Sequence, residues 1–206
     1  MDWTKEEIKF LKTLSNPDKI QAFLDKISYN PNYECRSPRW VMKKRSAHCF
    51  EGALFAAAAL EFIGYKPLIV DMRAVNDDDH VIAVFKENGH WGAVAKSNFT
   101  SLRFREPVYR TLRELVMSYF DFFFNVYGEK TLRSYSLPFD LSRFKSRRWA
   151  TTDEDLEYIG DKIESLHHFP VANKKMISRL YRASNSMLKA GLLGSVAKGL
   201  FKPVRK

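Results

Sequence analysis

Two cysteines and five histidines are the side chains of this 206-residue chain best suited to covalent chemistry, and their settings differ. Cys49 directly follows His48 and opens an apolar, Ala-rich stretch, residues 49–62, that reads as a helix. A thiol at a helix N-terminus faces unsatisfied backbone N–H groups and the positive end of the dipole, which favour thiolate over thiol. His80 comes right after the acidic turn Asn76-Asp77-Asp78-Asp79 and begins an apolar run. An imidazole there is a base for the thiol proton and an acid for a leaving group. Lys96-Ser97-Asn98 ends the next apolar run. Asn98 is expected to accept from the second ring nitrogen of His80 and hold its tautomer, with Ser97 and Lys96 as alternatives. Such a set performs acyl transfer. Each member also has a plainer use: Cys49 as a small buried hydrophobe, His80 as a satisfied strand-end residue, Asn98 as a turn residue.

The elements that must position these groups follow from periodicity and breakers. Apolar stripes (Ile8, Leu11, Leu14, then Ile20, Phe23, Leu24, Ile27) predict two helices separated by the capping sequence Ser15-Asn16-Pro17-Asp18. The alanines at 53 and 56–59 favour helix and let neighbouring backbone approach closely, and Gly64 with Pro67 stops that helix. Residues 67–73 (PLIVDMR), 80–85 (HVIAVF) and 91–95 (WGAVA) predict three short antiparallel strands separated by turn residues. Helix is expected again over 111–127, with the aromatic run 119–124 as core, and residues 134–149 as an irregular connector. A further helix is expected from Thr151 to about Leu166, with His167-His168 at its solvated end, and then a basic amphipathic helix over 173–189. A boundary near residue 150 would divide a domain, 1–150, from a helical basic C-terminal extension, 151–206.

The stretches His48-Cys49-Phe50-Glu51-Gly52-Ala53, Asp79-His80-Val81-Ile82-Ala83-Val84-Phe85 and Gly89-His90-Trp91-Gly92 resemble the transglutaminase-like superfamily of papain-type cysteine enzymes. The resemblance covers roughly residues 15–105. It implies an α+β fold with a papain/transglutaminase-like core, in which the Ala-rich helix carrying the cysteine packs on a small antiparallel sheet. It also implies Cys49 as nucleophile and His80 as general base and acid. The family has Asp a few residues beyond the strand Trp, whereas four beyond Trp91 stands Ala95, so the third role falls to Asn98 as in Cys-His-Asn enzymes. The implied activity is thiol-mediated acyl transfer on an amide or peptide bond, by hydrolysis or transfer to an amine. The alternative is an inactive member of the fold that serves as a binding or adaptor module.

Charge points elsewhere. The net charge is +10, yet residues 165–206 hold no Asp or Glu and carry +9 of it, leaving +1 on the first 164 residues. The basic tail, residues 173–206, is therefore where an anionic membrane surface or an acidic partner would dock, and nucleic acid is not expected because no recognised module accompanies it. Cys35, His48, Cys49, His80 and His90 match no zinc spacing, so neither metal nor cofactor is expected. The acidic start MDWTKEEIKF and the absence of a long uncharged apolar run predict a cytoplasmic protein, peripheral to the membrane if the tail binds there.

Overall fold

Helix α1 (Lys5–Thr13) begins with reciprocal capping: the Thr4 hydroxyl accepts from the Glu7 N–H and the Glu7 carboxylate accepts from the Thr4 N–H. Helix α2 (Pro17–Lys26) is capped by the Asn16 side chain and has Pro17 in its first turn. These elements belong to a computed structural model that describes residues 2–32 and 34–204. Strand β1 (Ser28–Tyr29) pairs in parallel with β2 (Ser46–Ala47), and α3 (Pro38–Lys44) lies between them in sequence. Helix α4 (Cys49–Phe62) follows immediately, and every residue from 50 to 60 is buried. A helix that is apolar all round must be enclosed on all sides. Its small residues permit this: a Cβ on Gly52 would stand 2.3 Å from Cβ of Lys96.

The sheet comprises β3 (Leu68–Ala74), β4 (His80–Glu87), β5 (His90–Val94), β6 (Arg105–Tyr109), β7 (Leu132–Ser136), β8 (Phe139–Asp140) and β9 (His168–Pro170). Its order is β6-β5-β4-β3-β7-β9, with β8 pairing to the Leu68 end of β3, and every pairing is antiparallel. The remaining helices are α5 (Leu112–Phe120), α6 (Glu157–Glu164), α7 (Lys174–Ile177) and α8 (Asn185–Gly191).

Both faces of the sheet are covered, which explains the near-continuous apolar run of β4. Val81, Ala83 and Phe85 pack with α4, α2 and α6 in one core, while Ile82 and Val84 pack with Leu115, Val116 and Tyr119 of α5 in a second. Alternation along a strand sends successive side chains to opposite faces, so a strand inside a sandwich of helices has no polar side. The molecule is an α+β fold of helices on a small antiparallel sheet. Among the described residues no helix is long and apolar enough to cross a membrane.

Several expectations are corrected. The connector expected over 134–149 holds β7, β8 and a 3-10 segment, Leu141–Arg147. Helix α5 ends at Phe120, not Tyr127, because Asn125 organises the following turn: its carbonyl oxygen accepts from the Tyr127 and Glu129 N–H groups and its amide donates to the Asn76 carbonyl. The boundary near 150 falls within packed structure. Trp149, Ala150, Leu156, Ile159 and Ile163 are all in the α4 core, and β9 completes the sheet. Helix α6 starts at Glu157, and of the pair His167-His168 only His167 is solvated: His168 lies in β9, its Nε2 2.9 Å from buried Asp71. The basic helix expected over 173–189 is interrupted between Ile177 and Asn185, so its apolar side chains share no continuous stripe. Arg205 and Lys206 of the tail lie outside the described residues.

Candidate active site

Cys49 is the first residue of α4, and a capping box built on His48 fixes that start. The His48 Nδ1 accepts from the Phe50 N–H at 3.2 Å, and its Nε2 donates to the Glu34 carbonyl at 2.9 Å. Those two bonds require the neutral Nε2–H tautomer, which makes His48 a structural cap. The Glu51 carboxylate, fully buried, accepts from the His48 N–H, the Arg36 N–H and the Asn30 amide. The helix start is thereby tied to Asn30, Glu34 and Arg36 of the preceding loop.

The Cys49 thiol contacts β4 directly. Its Sγ lies 3.7 Å from the Asp79 carbonyl, and the N–H groups of Val81 and Phe50 point to the sulfur. Burial pushes the thiol up to about 12, against the pull of those N–H groups. Cys35 is likewise pushed up to about 12, by burial and then by the Asp155 charge.

His80, the first residue of β4, is 3% exposed, and its ring sits edge-on to Tyr119 and Phe123. Its Nε2 is 2.8 Å from the carbonyl oxygen of Leu102, in the 3-10 turn Thr100–Leu102. A carbonyl only accepts, so Nε2 carries the hydrogen and Nδ1 is the basic nitrogen of a neutral ring. Burial holds the imidazole down to about 4, with the Arg105 charge adding to it and the Leu102 bond opposing it. Cys49 and His80 line one small cavity of ≈ 40 Å³, together with Tyr29, the turn Asp77-Asp78-Asp79, Phe123, Phe124 and Leu102.

Asn98 lines that cavity too but does not hold His80. Both halves of its amide are engaged with Val196: Nδ2 donates to the Val196 carbonyl at 3.0 Å, and Oδ1 accepts from the Val196 N–H at 2.8 Å. The alternatives are also committed. The Lys96 ammonium binds the carbonyls of Leu24 and Ile27 at the end of α2, and the Ser97 hydroxyl accepts from the Phe99 N–H. The orienting role therefore belongs to the Leu102 main chain. No side-chain pattern announces a backbone carbonyl, which is why the sequence points to Asn98 instead. Among the described residues no group of three or more His, Cys, Asp or Glu side chains converges to hold a metal ion.

The buried, neutral His80 has a consequence for stability. Its folded pKa lies below the ordinary value of 6.5, so between about 6.5 and about 4 the unfolded chain binds a proton that the native state does not. Stability is thus lost as pH falls through that window, by about 3 kcal/mol for this one group. Asp77 acts with the opposite sign, since burial raises its carboxyl to about 6 and the native state takes up its proton first. The expected result is a comparison. On going from pH 7 to pH 4, urea unfolding will show wild type losing about 3 kcal/mol relative to His80→Phe, which has no such proton to bind. A stability difference independent of pH would contradict the neutral imidazole.

No protein-family model matches the chain, and no curated protein matches it significantly.

Proposed function

We propose that the chain is a cysteine acyltransferase or hydrolase of transglutaminase-like type, acting on amide bonds through Cys49 and His80. The observation that carries this reading is the shared cavity, lined by a thiol at the N-terminus of a buried helix and by an imidazole whose tautomer a main-chain carbonyl fixes. A papain-like core, with α4 laid against β4 and β3, accounts for that juxtaposition.

In the reaction so read, Nδ1 of His80 takes the Sγ proton as sulfur attacks the amide carbonyl. The tetrahedral oxyanion meets N–H groups at the helix start, where the dipole favours negative charge. Collapse breaks the C–N bond, the imidazolium returns its proton to the departing amine, and a Cys49 thioester remains. Water or an amine then attacks the thioester, with His80 again as base, and regenerates the thiol. The Nε2–H bond to Leu102 steadies the ring through both proton transfers.

A peptide amide offered with hydroxylamine tests the reading. The expected product is the peptide hydroxamate with release of ammonia, formed by wild type and absent with Cys49→Ala. Equal hydroxamate from both proteins, or none from either even when Gly199→Val opens the cavity that residues 199–201 border, refutes acyl transfer. A second reading, a non-catalytic binding module of the same fold, is favoured by one observation: the cavity beside Cys49 is small and is bordered by the chain's own residues 199–201. Absence of hydroxamate together with peptide binding is its expected signature.

A further inference from the structure

Residues 196–204 lie across the cleft that holds Cys49. They form a single 3-10 turn, Ala197–Gly199, and then run on without regular structure past Leu200. Two asparagine side chains fasten them by main-chain atoms alone. Asn98 exchanges two hydrogen bonds with Val196, and Asn76 does the same with Val204: its Nδ2 donates to the Val204 carbonyl at 3.0 Å and its Oδ1 accepts from the Val204 N–H at 2.8 Å. Between these clasps Gly199, Leu200 and Phe201 line the Cys49–His80 cavity. Gly199 sits where nothing larger fits, since a Cβ there would lie 2.6 Å from Cε1 and 2.8 Å from Cδ1 of Tyr29.

We infer that this cleft binds polypeptide through its main chain and that residues 196–204 are its resident pseudosubstrate, an inference that rests on the proposed role of Cys49 and His80. A primary amide that donates to a carbonyl and accepts from the N–H of the same residue reads backbone irrespective of side chain, as an added strand does. Two such clasps eight positions apart bracket the nucleophile. Selection falls to what lies between them: a glycine against Tyr29, then two large apolar residues at the cavity. Charge agrees, because Lys198 and Lys202 flank the core of the segment and the acidic turn Asp77-Asp78-Asp79 walls the same cleft. On the far side of Gly199 a wider groove of ≈ 280 Å³, bordered by Pro31, Asn32, Cys35 and His48, also reaches Cys49. It has room for the other half of a bound chain. The substrate class is therefore a basic polypeptide with glycine before large apolar residues, and the segment must leave before such a substrate enters.

The full chain tests this by the alkylation rate of Cys49 with iodoacetamide, followed by mass spectrometry. Asn76 has φ of 56°, so Asn76→Gly removes the clasp while keeping a backbone that glycine adopts readily. Gly199→Val instead drives the segment out through the Tyr29 ring. Both are expected to alkylate at Cys49 at least tenfold faster than wild type with unchanged circular dichroism, and the peptide VAKGLFKPV added to Gly199→Val, which keeps both asparagine side chains for it, should restore protection. Unchanged rates in both variants, or no protection by the peptide, overturn the inference. His80→Ala placed in each background separates the two ideas. If release accelerates labelling but His80 does not affect it, the acyl-transfer reading falls and the covering segment stands; if His80 matters but release does not, the pseudosubstrate falls alone.

Discussion

Alkylation of Cys49 near neutral pH will slow by about 10²- to 10⁴-fold when His80 becomes Ala, the range a positioned general base contributes. The two groups are tuned against each other. Burial lifts the thiol to about 12, leaving thiolate at about one part in 10⁵ at pH 7, so a thiol acting alone is inert there. The imidazole, held down to about 4, is unprotonated across the whole range in which the protein would work. Reaction then proceeds from the neutral pair, with the proton passing to Nδ1 as the bond to sulfur forms. The pH profile distinguishes this from a purely structural role. Wild type should label at a nearly constant rate from pH 5 to pH 9, whereas His80→Ala should gain close to tenfold for each pH unit as free thiolate becomes the only reactive form. Parallel profiles in the two proteins would show that His80 supplies no base.

A Glu51→Ala substitution is expected to cost about 3–5 kcal/mol of unfolding free energy, measured by urea titration, since it leaves three inward-facing N–H donors without their acceptor. Glu51 is fully buried on α4 and accepts from the His48 N–H, the Arg36 N–H and the Asn30 amide. Those donors belong to the helix start and to the loop that walls the wider groove. Glu51→Gln keeps one acceptor oxygen but turns an NH₂ toward a donor, and should fall between the two. A loss under 1 kcal/mol for Glu51→Ala would mean that the loop rearranges to satisfy itself, and the groove wall would then be adjustable.

The parts of the site nearest the surface of the sequence are those decided by local chemistry. Helix α4 is legible because four consecutive alanines and Gly64 fix its type and end, and β3 to β5 because short apolar runs alternate with turn residues. Cys49 and His80 stand at a helix start and a strand start in the sequence, and both line one cavity in the fold. The rest depended on contacts between distant residues. Strand β7 exposes no strong pattern, with Arg133 and Ser134 between Leu132 and Tyr135, and it becomes a strand only by pairing with β3 and β9. His168 reads as one of two adjacent histidines, and only the sheet brings it to Asp71. Asn98 reads as a triad member because it is an amide at a strand end. Its partner is instead 98 residues away, and the role expected of it is filled by the carbonyl of Leu102.

The position of the covering segment in the chain fixes the order of events during synthesis. Helix α4 and strands β3 to β5 emerge early, and residues 196–204 emerge more than 100 residues after His80. At ordinary elongation rates that interval is on the order of ten seconds. The strands that seal the sheet, β7 and β9, also arrive late, and their pairings with β3 and each other span long sequence separations that close slowly. A newborn chain thus carries its thiol and imidazole uncovered for a period set by the ribosome, and the cleft is shut by a segment made long after the groups it covers.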